Sequence, residues 1–154
     1  ILMHMTGKVQ VNFLKQPGDN LVKGELMAEI RQDGKSLRVF SPVSGKISGI
    51  NSALIQNPGF LNQDAYNRGW LYSIHPSDWK SETQHFYLAE EAKQWLHNEV
   101  ERFKDSFAVK AEKYTPEHVH VTLQDGGELA ENVLAEMPDE FWSDFQAEFM
   151  DPIP

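Results

Sequence analysis

Residues 24–45 read GELMAEIRQDGKSLRVFSPVSG. Two runs of alternating apolar and polar residues flank Asp33-Gly34. That dipeptide favours a type I′ turn, because the turn needs φ > 0 at both central residues. With Asp33 and Gly34 at the centre, Gln32 faces Lys35, Ile30 faces Leu37, Ala28 faces Val39 and Met27 faces Phe40. Glu29 then faces Arg38 as an opposite-charge pair. Apolar residues thus fall consistently on one side of a β-hairpin, and cross-strand pairs of this kind set its register.

Short strands and turns surround the hairpin. Residues 8–14 (KVQVNFL) alternate, with Val9, Val11 and Phe13 on one face. Gln16-Pro17-Gly18-Asp19-Asn20 is turn chemistry. Ser41-Pro42 ends the second hairpin strand, since proline cannot donate to a ladder. Residues 46–51 form a further strand, 57–62 (NPGFLN) a loop, and 69–74 a last strand with Trp70, Tyr72 and Ile74 in one row. Many short strands with frequent turns indicate a small sandwich or barrel.

The period changes beyond His75-Pro76. Ala92, Trp95, Leu96, Val100, Phe103 and Phe107 follow helical spacing with charges between them. Residues 117–123 (EHVHVTL) alternate as a strand, Asp125-Gly126-Gly127 turns, and 129–137 reads as a short helix. Pro138 suits the first turn of a final helix carrying Phe141, Trp142, Phe145 and Phe149. Such an aromatic stripe marks a folded addition and reads as packed core; left exposed, it would mark a partner surface. The expected fold class is α+β: a small β-sandwich over residues 6–80 followed by a helix-rich extension over 81–154.

Composition narrows function. The chain has 154 residues, no cysteine and a net charge of −9. No disulfide framework, thiol nucleophile or Cys-ligated metal is available. Residues 1–79 hold eight Lys/Arg against six Asp/Glu, so the acid excess lies in the second half. That half would repel a phosphate backbone, which argues against nucleic-acid binding. No apolar run reaches membrane-spanning length and no signal-peptide core is visible, so the expected location is cytoplasmic. Ile1-Leu2-Met3-His4-Met5 reads in part as a cloning remnant.

Several stretches resemble the glycine cleavage system H protein family. They are Asn12-Phe13-Leu14, Gln16-Pro17-Gly18-Asp19, Val22-Lys23-Gly24-Glu25, Ser41-Pro42-Val43-Ser44-Gly45-Lys46-Ile47, Asn51, Asn57-Pro58, Leu61-Asn62, Tyr66 and Gly69-Trp70-Leu71. The resemblance covers roughly residues 6–75 and implies the barrel-sandwich hybrid of lipoyl and biotinyl carrier domains. It further implies a carrier, not an enzyme, with lipoate on a hairpin-tip lysine shuttling an aminomethyl group and electrons between partner enzymes.

Two departures qualify what the resemblance implies. Counting back from Pro42, the family's lipoyl lysine falls on Gly34, and the usual Glu-Ser-Val-Lys-Ala tip is here Arg31-Gln32-Asp33-Gly34-Lys35. Lys35, one place further on, is the candidate attachment site, with Asp33 and Gly34 at the hairpin tip. The chain also begins where the family would already have run through its first strands. An abbreviated member, completion by the C-terminal half, or pairing of an open sheet edge with another copy each account for this.

Two function classes stay open: a lipoylated H-protein-like carrier, and a carrier-derived module without cofactor that acts by docking to proteins. No nucleophile–base set, phosphate loop or metal motif assembles a stand-alone enzyme. His118 and His120 share one strand face but lack a third ligand of recognisable spacing, and His97 reads as a helix residue. Glu90-Glu91 and Asp139-Glu140 fall at helix starts, where acids complement the dipole.

Overall fold

The computed structural model describes residues 6–114, 123–124, 128–129 and 132–152. Two three-stranded antiparallel sheets form the first part, and helices follow. One sheet has the order β1-β3-β4, from Gln10–Phe13, Leu26–Gln32 and Lys35–Phe40. The other has the order β2-β5-β6, from Asn20–Leu21, Gly45–Ile50 and Tyr72–Pro76. The fold class is α+β.

The hairpin keeps its expected register from the tip inward: Gln32↔Lys35, Ile30↔Leu37, Glu29↔Arg38 and Ala28↔Val39. It departs at the base. Phe40 pairs with Leu26, and the register shifts between Leu26 and Ala28. A bulge at Met27 re-aims that side chain into the small core between the sheets, with Leu21 and Ile47. Tyr72 ties the sheets together: its hydroxyl donates to the Met27 carbonyl at 2.6 Å, and its ring meets Phe13 edge-on.

Beyond β5 the expected loop at 57–62 contains part of a short helical pair, α1 (Ala53–Gln56) and α2 (Phe60–Gln63), whose Leu54 and Leu61 are buried. The last strand lies later than expected and leaves Trp70 outside. Asn51 holds this stretch instead: its side-chain amide donates to the carbonyls of Arg68 and Trp70, and its backbone N–H to the Leu71 carbonyl. Helix α3 (Trp79–Thr83) follows, starting at Asp78, whose carboxylate accepts from the Ser81 N–H. Glu82 accepts from the Ser44 N–H and hydroxyl, which pins α3 to the β5 turn.

Helix α4 (Ala89–Tyr114) carries the expected stripe, but only its later part is covered. Phe103 and Phe107 are buried, whereas Trp95 and Leu96 are exposed. Residues 132–136 form turns instead of the expected helix, with Asn132 at φ +61°. The final helix α5 (Asp139–Phe145) runs into a π-helical turn at Gln146–Met150. Phe141, Trp142 and Phe145 are buried as expected, and Phe149 packs beside them. Glu90, Glu91, Asp139 and Glu140 lie in the first turns of α4 and α5. Leu123–Gln124 (β7) and Glu128–Leu129 (β8) pair antiparallel. His118, His120 and the Asp125-Gly126-Gly127 turn lie outside the described residues.

The larger core joins both parts. Val9, just ahead of β1, and Ile30 and Leu37 of the first sheet pack with Leu54, Leu61, Phe103, Phe107, Met137, Phe141 and Trp142. The aromatic contacts Phe107–Phe141 and Phe103–Phe145 are edge-on at 5.2 and 5.5 Å, the arrangement that aromatic quadrupoles favour.

Candidate functional site

The hairpin tip is a type I′ turn, with Asp33 at φ +46° and Gly34 at φ +87°. Both residues are exposed. A Cβ built on Gly34 would meet nothing within 4 Å. The apex is therefore open to solvent, and Gly34, where the resemblance would set the lysine, has no side chain to present.

Lys35 points elsewhere. It opens β4 and shares the parity of Leu37 and Val39, which face the core. Its Nζ donates to the carbonyls of Ala135 at 2.6 Å and Met137 at 3.0 Å. The same ammonium lies 5.3 Å from the ring centroid of Trp142, within cation–π range. Trp142 is fixed in turn, because its Nε1 donates to the Leu134 carbonyl at 2.7 Å. Two side chains thus donate to three carbonyls of the 132–137 turns. The parity was readable in the sequence: residues 35, 37 and 39 alternate onto one face.

A second contact holds the edge of β4. Gln146, only 4% exposed, accepts from the Arg38 N–H at 2.7 Å and donates to the Arg38 carbonyl at 3.4 Å. Its amide occupies the place a neighbouring strand would take. Asp151 completes the latch, accepting from Gln146 Nε2 at 2.6 Å and from the Arg38 guanidinium at 3.0 Å. No sequence period signals such a contact, because it depends on one side chain meeting one backbone unit.

On the solvent face of the hairpin, Glu29 accepts from Asn12 at 3.0 Å and from Arg31. The Asn12 and Arg31 donors hold its carboxyl below the usual range. Beside the tip runs an open cleft of about 1240 Å³, bordered by Lys8, Arg31, Lys35, Asn62 and Asn132 among others. His97 lies on α4 and is exposed. No group of three or more His, Cys, Asp or Glu suited to a metal occurs among the described residues.

The family model for the glycine cleavage H-protein matches residues 1–99. This chain belongs to that family. Among curated relatives, the glycine cleavage system H protein of Kocuria rhizophila is 35% identical over 68 residues, 44% of this chain and 53% of the relative. That of Corynebacterium jeikeium is 34% identical over 61 residues, 40% of this chain and 48% of the relative. That of an Anaeromyxobacter species is 36% identical over 65 residues, 42% of this chain and 51% of the relative. The chain spans about half the length of the curated H proteins it matches. A crystal structure of a glycine cleavage system H protein from Mycobacterium marinum aligns with 46% of this chain and 56% of its own, at 29% identity and a TM-score of 0.43.

The H-protein match stops within α4. Every group that holds Lys35 and the β4 edge (Ala135, Met137, Trp142, Gln146 and Asp151) lies beyond it. The segment outside the family match is therefore the one that holds Lys35 and the β4 edge. No described helix is long and apolar enough to cross a membrane.

Proposed function

We propose that this H-protein family member is a carrier-derived docking module whose hairpin carries no lipoate. The observation behind this reading is the Lys35 ammonium held between two carbonyls and the Trp142 ring. Amide formation on Nζ would remove the charge and leave one N–H where two carbonyls now accept. It would also draw a long acyl chain into the packed face of β4. A swinging arm needs a lysine projected at the apex, and the apex residues are Asp33 and Gly34. In this reading the protein is cytoplasmic and non-enzymatic. It meets enzymes of the carrier system, or proteins of another complex, through its folded surface.

Lys35→Arg tests the reading, because arginine keeps a cation over Trp142 but cannot be lipoylated. In a host deleted for the gene, Lys35→Arg should restore wild-type function. A variant that folds with an unchanged urea midpoint yet fails to restore function would establish the alternative, a carrier with lipoate on Lys35.

A further inference from the structure

The covered and uncovered parts of α4 form one stripe. Phe103 and Phe107 lie in the core, and the same face continues toward the helix start as Ala92, Trp95, Leu96 and Glu99. Trp95 and Leu96 are 47% and 46% exposed. Ala89, at φ +48°, turns the chain sharply at the start of the helix and brings Tyr87 back onto Trp95, the rings stacked at 6.0 Å. Phe86, Tyr87 and Leu88 are themselves exposed. Together the five side chains present roughly 500 Å² of apolar surface, at the upper end of what a monomer leaves to water.

We infer that this patch is a self-association surface and that its occupant is a second copy of this chain. Three features favour a copy. First, the area fits: a two-fold contact buries the patch on both sides, about 1,000 Å² in total, which reaches the lower bound for a specific interface. Second, the charge around the patch is nearly balanced. Lys80 and Lys93, with Lys23 over the Phe86 ring, stand against Glu82, Glu90, Glu91 and Glu99, in a chain of net charge −9. Lys93 is moreover bonded to Glu90 within the helix. Third, the stripe is self-complementary about a small residue. A crossing at Ala92 lets the helices approach closely and sets Trp95 and Leu96 of each copy against the Tyr87-to-Ala89 corner of the other, as an isologous contact requires. The β4 edge, by contrast, is occupied by Gln146 and offers no strand for pairing at Arg38.

This inference is independent of whether Lys35 is modified. The test is sedimentation velocity on the full chain across the micromolar range, at low and high salt. The expected result is a concentration-dependent dimer that tightens as salt screens the repulsion between like-charged copies. Trp95→Glu and Leu96→Lys should each weaken it at least tenfold, with the circular dichroism spectrum and urea midpoint unchanged. Val109→Lys, at an exposed apolar position later on α4, should leave it intact. A chain that stays monomeric at high concentration and high salt overturns the inference. So does a dimer indifferent to Trp95→Glu. A monomer that captures a different protein from native extract, and loses it with Trp95→Glu, overturns self-pairing in favour of a heterologous partner.

Discussion

Lys35 and Trp142 form a cation–π pair, with Nζ 5.3 Å from the ring centroid. One residue comes from the hairpin and the other from the helix that closes the described chain. The pair works with the carbonyls of Ala135 and Met137, so truncating the lysine removes the charged donor that both accept from. Lys35→Met should destabilise by about 1–3 kcal/mol. Lys35→Arg should cost less than half of that. Urea unfolding with an unchanged m-value checks both, and a Lys35→Met midpoint equal to wild type would remove the structural role.

Gln146 stands in for a strand on the open side of β4. Gln146→Ala should cost about 1–3 kcal/mol, because the part-buried edge N–H and C=O of Arg38 lose their partner. Gln146→Glu should cost at least as much, since it cannot donate to the Arg38 carbonyl and sets a second carboxylate beside Asp151. Freed strand edges recruit other strands. Light scattering of either variant near its unfolding midpoint should therefore exceed that of wild type.

Two glycines separate conformation from space. Gly34 sits at φ +87° in open solvent, so Gly34→Ala should cost only about 1 kcal/mol, from backbone strain. At Gly45 a Cβ would lie 2.3 Å from the His75 carbonyl oxygen, backbone against backbone in the β5–β6 ladder. Gly45→Ala should cost more than about 3 kcal/mol or prevent folding. Paired thermal melts compare the two directly, and equal effects would contradict the packing described.

Acid should loosen the joint between the β-sheets and α3. The Ser44 hydroxyl, and then its N–H, hold the Glu82 carboxyl below its ordinary value of 4.5. A depressed carboxyl favours the folded state above that value, and the contribution fades as pH falls and the folded carboxyl protonates. Ser44→Ala should therefore narrow the gap between neutral and acid stability. Its difference from wild type should shrink steadily below about pH 4.5. A difference independent of pH would assign the Ser44 effect to something other than Glu82.

The hairpin was legible because Asp33-Gly34 fixes a turn type and alternation does the rest. The bulge at Met27 was not, since an extra residue leaves the composition of the strand unchanged. Phe141, Trp142 and Phe145 announced a packed face by spacing alone. The same spacing gave Trp95 and Leu96 no different reading from Phe103, because periodicity states that a face is apolar and not how far along the helix a neighbour extends. The tip of the candidate site could be located by counting from Pro42. The orientation of Lys35 was contained in the same register that paired it with Gln32. Its partners were not, because Ala135 and Met137 contribute only backbone carbonyls, which every residue has.

The decisive measurement is the intact mass of this chain co-expressed with a lipoyl ligase and supplied lipoate, beside a family carrier with lysine at the apex. The control should gain the lipoyl increment while this chain keeps its unmodified mass. A lipoyl increment on this chain that maps to Lys35 would contradict a structural lysine and restore the swinging arm.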